Sequence, residues 1–236
     1  MTNMNIKLNL KFVISFLALM FIMHEAHEIA HTSLGRLICG AWGQRDFNVW
    51  GLAEDCNQGN WVSLLPTYFG PVFTFVMIWI GAFLLKSENS LQKKSLGFAL
   101  IFANMPIARI ITAALGGGDE VYATNVLLDN YPVAWAIALI GILLILGYPL
   151  YKAFITIKKN KVPWFLLFFF VPMIIDVVVV LGIMNSLLEA GLLADYWILG
   201  SPILVSLWTI FVILVFILMR KYIFTLGIEP VGQNLI

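Results

Sequence analysis

An all-α, polytopic membrane fold of about six transmembrane helices is predicted by three features of the sequence. Composition comes first: 61% of the 236 residues are hydrophobic and 11% are charged, with a mean hydropathy of +0.93, values outside the range of soluble domains. Apolar runs of the roughly 20 residues that a bilayer-crossing helix needs then alternate with short polar stretches. Finally, Lys7 and Lys11, Lys86, Lys93 and Lys94, Lys152, Lys158, Lys159 and Lys161, and Arg220 and Lys221 fall in alternate connections. The positive-inside rule makes those connections and both termini cytoplasmic and turns the acidic loops outward, with Asp55, Asp119, Glu120, Asp129, Glu189 and Asp195. The expected setting is a multi-pass protein of the plasma (inner) membrane. A net charge of +1 and the lack of a basic, aromatic-interleaved tract leave no basis for nucleic-acid binding.

The first span runs from about Leu10 through a histidine-rich stretch to Leu37, and it has no convincing cleavage site, so it is expected to be retained. The stretch from Cys39 to Asn60 mixes glycines (Gly43, Gly51, Gly59) with polar residues and Trp42, Phe47 and Trp50. It reads as a loop against the membrane with a short hairpin around Asp46 to Leu52. Cys39 and Cys56 both lie in it, either bridged or free. Span two, about Trp61 to Leu85, carries Pro66 and Gly70-Pro71, which are expected to kink it or break it locally. Span three, about Leu96 to Leu115, contains Asn104, Pro106 and Arg109 and ends in Gly116-Gly117-Gly118-Asp119-Glu120, where three glycines permit a sharp turn. A loop with Asn125, Asp129 and Asn130 precedes span four, about Pro132 to Tyr151. Span five, about Trp164 to Met184, holds Asp176 at mid-membrane, and span six covers about Ile198 to Met219. Without a linker or repeat, residues 1–236 read as one integral membrane domain.

All three histidines lie in His24-Glu25-Ala26-His27-Glu28-Ile29-Ala30-His31. His27-Glu28-x-x-His31 is an H-E-x-x-H pattern: imidazoles at i and i+4 share one helix face and can hold zinc, while the glutamate beside them serves as general base. His24 shares the stripe but sits about 10.5 Å from His31 along the axis at 1.5 Å per residue, too far to join the same ion easily. It either supports the pair, carries protons or packs against a polar partner. Spans one and three both run outward, so topology delivers Asp119 and Glu120 to the end where His27 and His31 lie. Either carboxylate can complete a three-ligand site for one Zn2+ per chain. Ionisable groups at mid-membrane cost about 2.5–3.5 kcal/mol each on insertion scales, so such a stripe calls for a compensating partner.

His27 to His31 with Gly35-Arg36 and Cys39-Gly40, Gly70-Pro71 in the second span, and Asn104-x-Pro106 followed by Asp119 resemble the site-2 protease family of intramembrane zinc metalloproteases. The resemblance covers residues 1 to about 120 as a three-helix core and leaves about 121–236 as three further helices. It implies a metallopeptidase that hydrolyses peptide bonds in a membrane-embedded or membrane-adjacent polypeptide. The implied ligands are His27, His31 and Asp119, with Glu28 as catalytic base. His24, Glu120, Asn104 and Arg109 stand as alternative ligands or supporting groups. The family usually holds its metal toward the cytosol, whereas the charge pattern here places it on the extracytoplasmic side. Two other readings use the same residues: an ion or proton transporter through His24, Glu28, Arg109 and Asp176, and an inactive metal-binding relative. Arg109 can equally be a counter-charge to Asp119, Glu120 or Asp176.

Overall fold

A computed structural model describes residues 4–54, 56 and 61–227. Asp55, Gly59 and Asn60 of the first loop lie outside them. The chain is an all-α polytopic protein, with six helical stretches long and apolar enough to cross a membrane: Leu10–Cys39, Trp61–Leu84, Leu91–Ala114, Tyr131–Thr156, Lys161–Glu189 and Ile203–Phe224. The first is a single helix, α1 (Leu10–Cys39), begun by the Asn9 side chain accepting from the Phe12 amide and ended by Gly40 in the left-handed region.

The second stretch enters through one 3-10 turn into α2 (Leu65–Leu84). Pro66 sits in the first turn, where no amide hydrogen bond is forfeited, and the helix runs on through Pro71. The interruption falls instead in the third stretch, where α3 (Leu91–Ala103) stops and α4 (Pro106–Ala114) restarts. Pro106 disfavours helical geometry in the residue before it, and Met105 takes φ 45°.

Residues 119–130, expected as loop, instead contain α5 (Asp119–Leu128). Two acidic residues occupy its first turn and favour the helix dipole, while Asp129 caps its end at φ 47°. Asn130 then caps α6 (Tyr131–Thr156) by accepting from the Val133 amide. The fifth stretch is α7 (Lys161–Asp176), a π-helical segment over Val177–Met184, and α8 (Asn185–Glu189). The sixth is α9 (Ile203–Met219) with a terminal 3-10 turn.

Hydrogen bonds gather the lysine-rich connections at one end. The Met4 amide donates to Thr156 O and the Lys158 amide to Met4 O, both at 2.8 Å. Ser95 Oγ receives the Leu226 amide at 2.9 Å and donates to Ile223 O. Above this end Phe12, Phe16, Phe98, Phe102 and Phe168 fill the interior with edge and tilted ring contacts. His27, Glu28, His31, Arg109 and Asp119 lie beyond that plug, at the opposite end.

At that end Gln44 to Gly51 form the expected hairpin, closed by Gly51 N to Gln44 O and Asp46 N to Val49 O, with Arg45 and Trp50 facing across it. Cys39 and Cys56, left open by the sequence, are joined as a disulfide.

Candidate metal centre

The i, i+4 spacing in α1 stacks His27 and His31 on one face, and both are buried. Their Nε2 atoms are 3.1 Å apart. Asp119 Oδ2 lies 3.4 Å from the first and 3.6 Å from the second. Four tetrahedral ligands at the 2.0–2.1 Å typical of zinc–nitrogen and zinc–oxygen bonds are separated by about 3.3–3.4 Å. The three edges match that spacing, so His27, His31 and Asp119 can hold one metal ion.

Each imidazole is fixed from behind. His31 Nδ1 lies 2.6 Å from the Pro66 carbonyl, which only accepts, so Nδ1 carries a proton and the ring turns Nε2 toward the site. His27 Nδ1 is 2.9 Å from Thr74 Oγ1, a hydroxyl able to accept in the same way. Such backing sets tautomer and ring orientation in histidine metal sites. Both partners belong to α2, and Pro66, Gly70 and Thr74 recur at four-residue spacing along one of its faces. A Cβ at Gly70 would fall on the His31 ring. Gly70 is therefore needed for close approach, and no break accompanies the Gly-Pro pair.

Asp119 reaches the pair because Gly116 and Gly118 adopt φ 85° and 87°, turning the chain directly into α5. Arg109 of α4 donates Nη2 to Asp119 Oδ2 at 3.0 Å and Nε to Glu120 Oε1 at 3.1 Å, and Nη2 also bonds Glu120 Oε2. Burial pushes the Asp119 carboxyl up, but contact with the ring nitrogens and the Arg109 guanidinium outweighs it and holds the group well below the usual carboxylate range. Asp119 is thus the anionic donor. Glu120 is occupied by Arg109, which resolves the pairing left open between Asp119, Glu120 and Asp176.

A cavity of about 430 Å³ opens beside the three donors, lined in part by His24, Glu28, Asn104, Arg109 and Asp176. Glu28 is buried and its Oε2 has no hydrogen-bond partner among the described residues. Asn104, at the α3/α4 break, donates Nδ2 to Leu100 O at 2.7 Å, and its buried Oδ1 is likewise unpartnered. His24 stands apart from the three donors: its Nδ1 is 2.8 Å from Asp176 Oδ1.

Sequence reasoning missed Thr74, the Pro66 carbonyl and Trp50. The four-residue recurrence of Pro66, Gly70 and Thr74 was the available signal for the first two. Trp50 stacks on His31 with ring centroids 4.6 Å apart and planes 10° from parallel, a long-range contact with no local signature. Comparison with protein-family models, curated proteins and solved structures finds no match to this chain.

Proposed function

We propose that the chain is an intramembrane zinc metallopeptidase resembling the site-2 proteases, with its centre on the extracytoplasmic side. The observation that carries this is the donor triangle of His27, His31 and Asp119, with edges of 3.1, 3.4 and 3.6 Å, beside an unpartnered buried Glu28 oxygen. Three protein donors are the pattern of catalytic zinc sites, which keep a position for water. A zinc ion bound there supplies Lewis acidity and brings the pKa of its water to about 7.

Glu28 takes the proton of the attacking water on Oε2 and returns it to the leaving amine nitrogen. Arg109 holds Asp119 in its ionised form and fixed in place. Asn104, oriented by one amide N–H on Leu100 O, offers an unpartnered acceptor, Oδ1, suited to a backbone N–H of an extended polypeptide. Arg109 directs Nε and Nη2 to Asp119 and Glu120, and no oxyanion donor is assigned. The aromatic plug below the cavity weighs against the transport reading, since among the described residues the ionisable groups lining the cavity stop above it.

The test is hydrolysis of single-span membrane polypeptides by the purified, zinc-supplemented chain beside Glu28→Gln. The reading expects cleavage by wild type and a loss of about 10²–10⁴-fold in the variant with zinc content unchanged. Equal cleavage by both, or cleavage indifferent to a chelator, contradicts it.

A further inference from the structure

The loop between α1 and α2 makes contacts that neither the metal triangle nor Glu28 accounts for. Its hairpin tip inserts Phe47, fully buried, into the apolar core, and Arg45 is 2% exposed. Arg45 reaches three places at once. Its Nη1 bonds Glu25 Oε2 on α1 at 3.1 Å, its Nε bonds Ser201 Oγ at 2.8 Å, and its amide bonds Gly200 O at 2.9 Å, just before α9. Thr209, inside α9, donates to the same Glu25 oxygen at 2.7 Å. Asn48 at the tip accepts from Asn185 Nδ2 at 2.6 Å.

A buried ion pair adds little net stability compared with apolar packing of the same volume, so its value lies in the geometry it enforces. The geometry here is specific. Arg45 and Trp50 are cross-strand partners in the hairpin, so anchoring one fixes the other, and Trp50 lies flat on the fully buried ring of His31. Glu25, two residues before His27 and so turned away from the metal pair, is thereby joined to the site through the hairpin and not through its own helix.

We infer that the Gln44 to Gly51 hairpin is a positioning element for the metal centre. Trp50 sets the plane of the His31 ring, and the Glu25–Arg45 pair with Thr209 ties Trp50 to the last span. Trp50, Arg45, Glu25 and Thr209 are positioning residues. Trp50 covers one face of His31 and opposes rotation of the ring out of the shared plane, while the Pro66 carbonyl holds Nδ1. Span six, read from the sequence as an addition, is on this account part of the machinery that orients a ligand.

The inference rests on the metal reading for its second readout only. The experiment uses the full chain in detergent with ¹⁵N-labelled histidine, comparing wild type with Trp50→Leu, Trp50→Phe, Glu25→Gln and Thr209→Val. Imidazole resonances are recorded without metal, and visible absorption bands are recorded with cobalt(II). The expected result is that Trp50→Leu and Glu25→Gln move the His31 resonances more than those of His27, that Trp50→Phe restores them, and that Thr209→Val shifts them in the same direction by less. Cobalt affinity should fall about 10–100-fold in Trp50→Leu, as for other groups that orient a ligand, with altered bands. A purely structural loop would lower the melting temperature and leave both spectra as in wild type, which overturns the inference. Thr209→Val, which removes one hydrogen bond and no charge, decides the matter if Glu25→Gln does not fold. A wild type that takes up no cobalt removes the metal reading, while the imidazole spectra still decide whether the hairpin sets His31.

Discussion

Over an 18-residue stretch of each, spans one, two and three have mean hydropathies of 1.5, 1.7 and 1.6 with 61%, 39% and 61% of that stretch buried, whereas spans four, five and six reach 2.3, 2.8 and 2.6 with only 28%, 22% and 17% buried. In water the most apolar segments go inside. In a bilayer the lipid accepts them, and the helices that carry His27, His31, Arg109 and Asn104 must be enclosed by protein. The least hydrophobic spans therefore form the centre and the most hydrophobic ones the wall. The wall still sends polar groups inward at single points: Asp176 to His24 and Thr209 to Glu25.

The difference can be sharpened by substitution. The largest effect expected in the inner group is Arg109→Leu, which leaves the buried Glu120 and the half-buried Asp119 without their counter-charge. Loss of one partner from a buried pair typically costs about 3–5 kcal/mol, to be measured by denaturant unfolding in detergent. Next is Thr74→Val, nearly isosteric, which removes the partner of His27 Nδ1. Zinc affinity should drop about 10–100-fold by competition with a chromogenic chelator, with the fold intact. Gly70→Ala, which drives a methyl into the His31 ring, should also weaken zinc binding, and a crystal or cryo-EM structure should show α2 displaced from α1. The smallest effect belongs to the wall: Leu144→Ala, 74% exposed, should change unfolding free energy by no more than about 0.5 kcal/mol. An effect there as large as that of Arg109→Leu would break the contrast and point to a protein partner on that face.

The spans were legible because hydropathy and lysine spacing record the bilayer directly, and His27 and His31 because a one-turn repeat is a local pattern. The arrival of Asp119 at the same end followed from counting crossings. The choice of Asp119 over Glu120 did not, since it depends on which carboxylate the turn through Gly116 and Gly118 brings to the imidazoles. The helix over Asp119–Leu128 was hidden because polar residues that cap and begin a helix look the same in a sequence as residues of a loop. The second role of Gly70 escaped the sequence for a related reason. A glycine that flexes a helix and one that admits a neighbouring ring are indistinguishable until the neighbour is known. Trp50 over His31 and Arg45 on Glu25 join residues 19 and 20 positions apart through a loop, beyond any periodicity that a single sequence displays.

The central claim is that the three donors bind a metal ion, and elemental analysis of the detergent-purified chain tests it most directly, with wild type measured beside His31→Ala and Asp119→Asn. The account predicts close to one zinc per wild-type chain, none in His31→Ala and a strongly reduced content in Asp119→Asn. Well-folded wild type without metal after zinc supplementation, or zinc kept by His31→Ala, would contradict it.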